Sequence, residues 1–215
     1  MINIMLEFNN IQKYYGSYLA IKVPLLSITN GIWWMKGENG SGKTTFLKMI
    51  AGLHPFTGDI ILENKFSIKK HRKHFVRLVN YAEAEPLYPS FLTAKDLVEL
   101  YCETNCGDLQ QAEDLLKQLH VYDAYHQRLG SYSSGMIKKV SLVLAFIGHP
   151  KIILLDEPLI TIDAKAVDTI CRIINDKYKE GTSFIITSHQ TLHKDQLQFS
   201  GTLIAENKTI YTTGI

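Results

Sequence analysis

The chain has 215 residues, with 23 Lys and Arg against 21 Asp and Glu and a formal net charge of +2. The length favours one domain with a subdomain over two catalytic modules, and the near-neutral charge gives no reason to expect a nucleic acid partner. No apolar run approaches the roughly 18 residues that cross a bilayer, and the first residues lack a leader pattern, so we expect a cytosolic chain.

Three cysteines, Cys102, Cys106 and Cys171, form no disulfide-scaffold pattern, which is typical of a reducing compartment. Cys102 and Cys106 could form a metal set with His71 and His74. Neither pair has zinc-finger spacing, and helical cysteines are usually buried small hydrophobes. We therefore expect no metal site at these residues.

Residues 2–28 alternate apolar and polar side chains. Turn-like pairs occur at Asn9-Asn10 and Gly16-Ser17, which predicts a small antiparallel sheet over about residues 1–30. The apolar run Ile32-Trp33-Trp34-Met35 follows and indicates a buried strand.

A glycine-rich loop comes directly after this strand and fits the phosphate-binding pattern G-x-x-x-x-G-K-[ST] at every specified position. Its backbone N–H groups and the following helix end are expected to bind a nucleoside triphosphate, with Lys43 on the β- and γ-phosphates and Thr44 on Mg²⁺. The loop and the start of the helix comprise Gly37, Glu38, Asn39, Gly40, Ser41, Gly42, Lys43, Thr44 and Thr45.

A flexible Gly/Ser turn could match this pattern by accident, at a chance on the order of 1 in 100 for a chain of this length. The context argues against accident, because a buried strand precedes the loop and apolar residues at helical spacing follow it.

The middle of the chain changes from strand to helix patterns. A turn at residues 57–59 leads into a predicted strand at 60–62, and residues 76–82 resemble another strand. From Thr93, which forms a predicted capping box with Asp96, apolar stripes predict an inserted helical subdomain over about residues 90–148.

A second buried strand, residues 152–155, ends in Asp156-Glu157-Pro158. Parallel sheets bind ligands at this edge, so Asp156 is expected to hold Mg²⁺ and Glu157 to accept a proton from the attacking water. Alone, the three residues could equally form a capped turn. A helix over 164–178, a strand at 184–186 and a closing hairpin with its turn near Asn207 complete the prediction, and the core is therefore expected to be of the α/β class.

Two further polar groups follow this logic. His189 follows the strand at 184–186 and is expected to contact the γ-phosphate, with an ordinary surface or core histidine as the alternative. Ser133 and Gly135 open the last helix of the insertion, where hydroxyls and N–H groups form either an anion site or only a helix cap.

Together these residues resemble the motifs of the ATP-binding cassette (ABC) ATPases. The motifs occur in the same order as in that family, and the resemblance extends over nearly the whole chain. The loop at 37–45 resembles the Walker A motif. Residues 133–136 resemble the signature motif, Asp156 and Glu157 the Walker B pair, Asp163 the D-loop residue and His189 the switch histidine. Residues 13–16 resemble the segment that carries the aromatic residue stacking on adenine. We expect this residue to be Tyr15, just before Gly16, rather than Tyr14.

Two departures from the family pattern occur. The segment 80–86 contains no Gln where the family has one, so Glu83 or Glu85 is expected to substitute near Mg²⁺. In the signature, Ser134 replaces a Gly and Met136 a Gln, whereas Ser133 and Gly135 are retained.

The resemblance implies a P-loop NTPase core of residues 31–89 and 149–215, and a head-to-tail dimer around two Mg-ATP. It implies that the chain is the ATP-hydrolysing subunit of a transporter, with export favoured over import. Such a subunit binds an integral membrane partner at the cytoplasmic face of the membrane. The alternatives are a soluble cassette acting on ribosomes or nucleic acid, a small-molecule kinase, and a nucleotide switch that scarcely hydrolyses.

Overall fold

A computed structural model of the protein describes residues 4–188 and 196–213. Within these ranges the strands are β1 (Ile4–Tyr15), β2 (Tyr18–Thr29), β3 (Ile32–Lys36), β4 (Thr57–Leu62), β5 (Phe66–Ser67), β6 (Val79–Ala82), β7 (Ile152–Leu155), β8 (Ser183–Thr187), β9 (Gly201–Glu206) and β10 (Thr209–Thr213). The helices are α1 (Lys43–Ile50), α2 (Arg72–Arg77), α3 (Ala94–Asn105), α4 (Leu109–Gln118), α5 (Ser134–Phe146) and α6 (Ala164–Lys179).

A six-stranded sheet in the order β10-β9-β3-β8-β7-β6 forms the centre of the fold. All its neighbouring strands pair in parallel except β10, which pairs antiparallel with β9. Because β3, β7 and β8 are parallel, the residues that follow them meet at one edge of the sheet. The α/β class predicted from the sequence is confirmed.

Alternate side chains of the central strands contribute to two different cores, as the period of two along a strand requires. Trp34, Ile153 and Ile186 belong to a core that includes residues of α5 and α6. Trp33 and Leu154 belong to a second core, which includes residues of α1 and of the antiparallel sheet. Each fully buried aliphatic side chain contributes about 1.5–3 kcal/mol, so both faces of the sheet hold the strand ends in place.

The antiparallel sheet is larger than the sequence indicates. Its order is β2-β1-β4-β5, so β4 pairs with β1 and β5 pairs with β4, whereas the sequence prediction assigned both segments to the core. The turns predicted at Asn9-Asn10 and at residues 57–59 are wrong, because both segments lie inside strands. Asn10 has a φ of +53°, and a Cβ added to Gly58 would lie 2.3 Å from the Asn10 carbonyl oxygen. The two irregular positions therefore fit against each other across the sheet.

The strand predicted over residues 76–82 is correct only for its second half. Helix α2 ends at Arg77, and β6 begins at Val79. A short apolar run of this kind fits a buried helix end as well as a strand, and periodicity alone does not separate them.

Helices α3, α4 and α5 lie within the predicted insertion. The capping box of Thr93 and Asp96 is confirmed, with Asp96 N donating to Thr93 Oγ1 at 3.1 Å and Thr93 N to Asp96 Oδ2 at 2.8 Å. No helix in the described part of the chain is long and apolar enough to cross a membrane.

Candidate functional site

The glycine-rich loop connects β3 to α1 at the edge of the central sheet. Gly42 is the N-cap of α1 and has a φ of +101°, which a residue with a side chain adopts only under strain. Gly37 lies against β9, where an added Cβ would be 2.5 Å from the Ala205 carbonyl oxygen. Glycine is therefore required at both positions for the loop to wrap the start of the helix.

Lys43 is the first residue of α1, and its side chain folds back over the loop. Its Nζ donates hydrogen bonds to the carbonyl oxygens of Gly37 at 2.7 Å and Glu38 at 3.0 Å. Burial lowers the pKa of Lys43, while Glu157 and Asp156 act in the opposite direction. The ammonium group is thus held at the loop, where the phosphates of a nucleotide would need positive charge.

The two carboxylates after β7 lie across a cavity from this loop. The cavity has a volume of about 220 Å³ and is lined by Asn39, Gly40, Gly42, Lys43, Thr44, Thr45, Asp156 and Glu157. The structure therefore brings together the phosphate loop and the carboxylates that the sequence assigns to one site.

Thr187, the last residue of β8, fixes both acidic residues. Its hydroxyl donates to Asp156 Oδ1 at 2.7 Å and accepts from the Glu157 backbone N at 2.9 Å. Glu157 has a φ of +46°, a left-handed conformation that costs a non-glycine residue about 1–3 kcal/mol and is found mainly at functional sites. Tyr81 OH donates to Asp156 Oδ2 at 3.4 Å, and burial raises the pKa of Tyr81.

A buried lysine that the sequence analysis missed connects three segments behind the carboxylates. Lys138, in α5, is 2% exposed. Its Nζ donates to the carbonyl oxygens of Glu83 at 2.6 Å, Ala84 at 2.9 Å and Asp156 at 3.1 Å. Burial lowers the pKa of Lys138 to about 8, although Asp156 and Glu157 oppose this shift. The helix that begins at Ser133 is thereby tied to the segment after β6 and to the end of β7.

A larger cavity of about 760 Å³ lies on the other side of the phosphate loop. Tyr15 lines it, and its OH lies 3.3 Å from Thr45 Oγ1, whereas Tyr14 does not line it. The sequence analysis missed Tyr18, Lys36, Glu206 and Lys208, which line the same cavity. Tyr18 pairs with Tyr15 in the β1–β2 hairpin, so the turn at Gly16 was a usable signal for it.

The donor set of the small cavity fits Mg²⁺ and a triphosphate. Thr44 and Asp156 offer a hydroxyl and a carboxylate, the oxygen ligands that Mg²⁺ accepts, and the loop N–H groups with Lys43 suit phosphate oxygens.

A family model described as ABC transporter matches residues 26–160. This range is more than half of the chain and contains the phosphate loop, the carboxylates and Lys138. The chain belongs to the ABC transporter family. Membership implies that the chain binds and hydrolyses ATP.

Relatives and solved structures agree with this assignment. The chain is 32% identical over 182 residues to the cytochrome c biogenesis ATP-binding export protein CcmA of Legionella pneumophila, covering 83% of this chain and 89% of that protein. It is 35% identical over 199 residues to the mouse glucosylceramide transporter ABCA12, which covers 85% of this chain but only 8% of that transporter. A solved ATP-binding subunit of an ABC transporter matches the fold with a TM-score of 0.87 at 20% identity, over 98% of this chain and 90% of that one.

The residues predicted to form the signature motif do not line the two cavities beside the phosphate loop. Ser133 is the N-cap of α5 and accepts from Met136 N at 3.2 Å. A Cβ added to Gly135 would lie 3.0 Å from the Thr161 carbonyl oxygen. Neither Ser133 nor Gly135 lines the two cavities beside the phosphate loop.

Asp163 forms a hydrogen bond and an ion pair within its own chain. It caps α6 through Ala166 N at 3.0 Å and pairs with Lys139 at 2.7 Å, and the hydrogen bond from Lys139 lowers the pKa of the Asp163 carboxyl. The cap and the ion pair join Asp163 to the helices α6 and α5.

The remaining predicted residues of the cassette divide into three cases. Glu83 pairs with Lys48 at 3.4 Å and does not line the small cavity, and Glu85 is exposed and does not line it either. The structure therefore does not bring the predicted substitutes for the missing Gln to the magnesium ligands.

His189 lies outside the described residues. Within those residues, no group of three or more His, Cys, Asp or Glu side chains is placed to hold a metal ion.

Proposed function

We propose that the chain is the ATP-hydrolysing subunit of a transporter and works as a dimer around two Mg-ATP. The observation that carries this proposal is the single cavity lined by Lys43, Thr44, Asp156 and Glu157. These four side chains supply the cation, the hydroxyl and the carboxylates that phosphoryl transfer to water requires.

In the proposed reaction, Glu157 orients a water molecule in line with the γ-phosphorus and accepts its proton as the new P–O bond forms and ADP leaves. Lys43 balances the charge that develops on the γ-phosphate oxygens. Thr44 and Asp156 would hold Mg²⁺, which supplies charge neutralisation at the phosphates. Thr187 keeps Asp156 and the Glu157 backbone in register for this step.

A second subunit completes the site in this proposal. Ser133 and Gly135 are solvent-accessible at a helix start and do not line the phosphate-loop cavities of their own chain. A helix N-terminus with an exposed serine is suited to a phosphate, so each Ser133 would face the nucleotide of the other subunit.

A surface groove with a mixed lining supports a membrane-spanning partner. It has a volume of about 400 Å³, and its lining combines exposed apolar side chains such as Leu53 and Leu87 with polar ones such as Glu83 and Asn105. Leu87 is 91% exposed and Leu53 is 58% exposed, which is unusual for side chains of this size grouped together. In this proposal the groove receives a short helix of an integral membrane subunit, and the cassette lies at the cytoplasmic face of the membrane. The export direction follows the export protein CcmA and is part of the proposal.

The substitution Glu157→Gln tests the proposed reaction. It removes the proton acceptor while keeping the shape of the side chain, so ATP binding should persist and multiple-turnover hydrolysis should fall by about 100-fold or more. Unchanged hydrolysis by this variant would contradict the role of Glu157. If the unsubstituted chain binds Mg-ATP but shows no single-turnover hydrolysis, the chain is a nucleotide switch instead.

A further inference from the structure

One segment of the chain carries a strong positive charge that the proposed reaction does not use. Residues 65–77, here called the basic segment, contain six Lys and Arg residues, two His and no acidic residue. Because the whole chain has a net charge of only +2, the rest of it is net acidic. The basic residues of the segment are Lys65, Lys69, Lys70, His71, Arg72, Lys73, His74 and Arg77.

All eight of these side chains are exposed, and none forms an ion pair within residues 4–188 and 196–213. The nearest acidic residue before the segment, Glu63, pairs with Lys151 at 3.2 Å. The positive charge is thus left for a partner outside the chain.

The basic segment borders the surface groove proposed to receive the membrane subunit at two places. Arg72 donates to the Gly52 carbonyl oxygen at 2.6 Å, and Leu53, the next residue, lines the groove. His74 and Arg77 line a neighbouring cavity together with Thr104 and Asn105, which also line the groove.

We propose that the basic segment binds the anionic headgroups of the membrane surface beside the membrane-spanning partner. This inference rests on the proposed function, which places the groove against that partner. Clusters of four to eight Lys and Arg next to a membrane attract anionic lipids, and each residue changes membrane partition by about fivefold.

The chemistry of the segment favours lipid over nucleic acid. Four of the six permanent cations are lysines, which act as point charges rather than as the bidentate forks that read bases and phosphates. Lys69, Lys70 and Lys73 line none of the cavities described above. Phe66, the phenyl ring of the segment that is not fully buried, is covered by His74 at 4.2 Å between ring centroids and by the Lys65 ammonium at 5.0 Å, so it offers no stacking platform for a base.

Co-sedimentation of the full chain with vesicles tests the proposal. Vesicles of phosphatidylcholine alone are compared with vesicles containing about one third phosphatidylglycerol, at roughly 0.1 M salt. The triple variant Lys69→Gln, Lys70→Gln, Lys73→Gln should bind the anionic vesicles at least about tenfold more weakly than the unsubstituted chain. The control Lys22→Gln, Lys117→Gln, Lys179→Gln removes the same charge from exposed positions elsewhere and should bind as the unsubstituted chain does.

Three results would overturn the proposal: no preference for anionic vesicles, equal loss of binding in both triple variants, or tighter binding to duplex DNA or to polyglutamate than to the vesicles. Dimerisation of the Glu157→Gln chain with Mg-ATP is measured in parallel. If the chain dimerises but does not bind anionic vesicles, this inference alone is contradicted. If the chain binds the vesicles but does not dimerise, the proposed function is contradicted.

Discussion

The ammonium group of Lys138 donates a hydrogen bond to the carbonyl oxygen of Asp156 at 3.1 Å, from the helix that begins with the signature serine. Its two other hydrogen bonds go to the carbonyl oxygens of Glu83 and Ala84. These residues belong to the segment after β6, and Glu83 lines the surface groove. One buried side chain therefore contacts the elements proposed to bind the partner subunit, the membrane subunit and the metal.

Replacing Lys138 by Met should uncouple these elements. We expect the nucleotide affinity to change by less than about threefold and kcat to fall by about tenfold or more, because a misplaced strand end reduces catalysis more than binding. Lys138→Arg retains the donors and should recover part of kcat. Steady-state ATPase assays give both parameters.

Lys177→Met is the matched control for this prediction. Lys177 is another buried lysine, and its Nζ donates to the Gly148 carbonyl oxygen at 3.5 Å. Its loss should lower stability without a selective fall in kcat. Equal kcat in the Lys138 and Lys177 variants would mean that Lys138 acts only in folding.

Thr187→Val should weaken the site at the carboxylates. The substitution keeps the shape of the side chain but removes the hydroxyl that bonds Asp156 and Glu157, which leaves two buried polar groups without this partner at a cost of about 1–3 kcal/mol. The melting temperature and kcat should both fall, and Thr187→Ser should restore most of kcat. A Val variant with full activity would show that the hydroxyl does not position Glu157.

Tyr15→Ala should reduce nucleotide affinity by about tenfold, because an aromatic face on a base contributes about 1–3 kcal/mol in comparable stacks. Tyr14→Ala is the control, since both side chains are 46% exposed and only Tyr15 lines the cavity beside the phosphate loop. Titration with a fluorescent ATP analogue measures both affinities. Equal losses in the two variants would remove Tyr15 from the base site.

The sequence predicts those parts of the molecule whose structure depends on neighbouring residues. The loop after β3, the cap at Ser133 and the carboxylates after β7 all follow from local patterns, and the structure has them where the patterns indicate. The edge at which β3, β7 and β8 end also follows, because parallel strands bring their carboxyl ends together.

The contacts that depend on packing between distant segments were not predictable in this way. Thr187 bonds residues 30 and 31 positions earlier, and Lys138 bonds residues up to 55 positions away. The pairing of β4 with β1, rather than with the central sheet, brings Gly58 close to Asn10, which is far away in the sequence. The basic segment was missed for a different reason, since the net charge of the chain averages it away.

The central claim is that the phosphate loop of one subunit and Ser133 of a second subunit hold the same Mg-ATP. Light scattering after size exclusion of the Glu157→Gln chain tests it most directly. With Mg-ATP we predict a dimer, which should revert to a monomer when EDTA removes the metal or when Ser133→Arg is added. A chain that stays monomeric with saturating Mg-ATP, or a dimer that is indifferent to Ser133→Arg, would contradict the account.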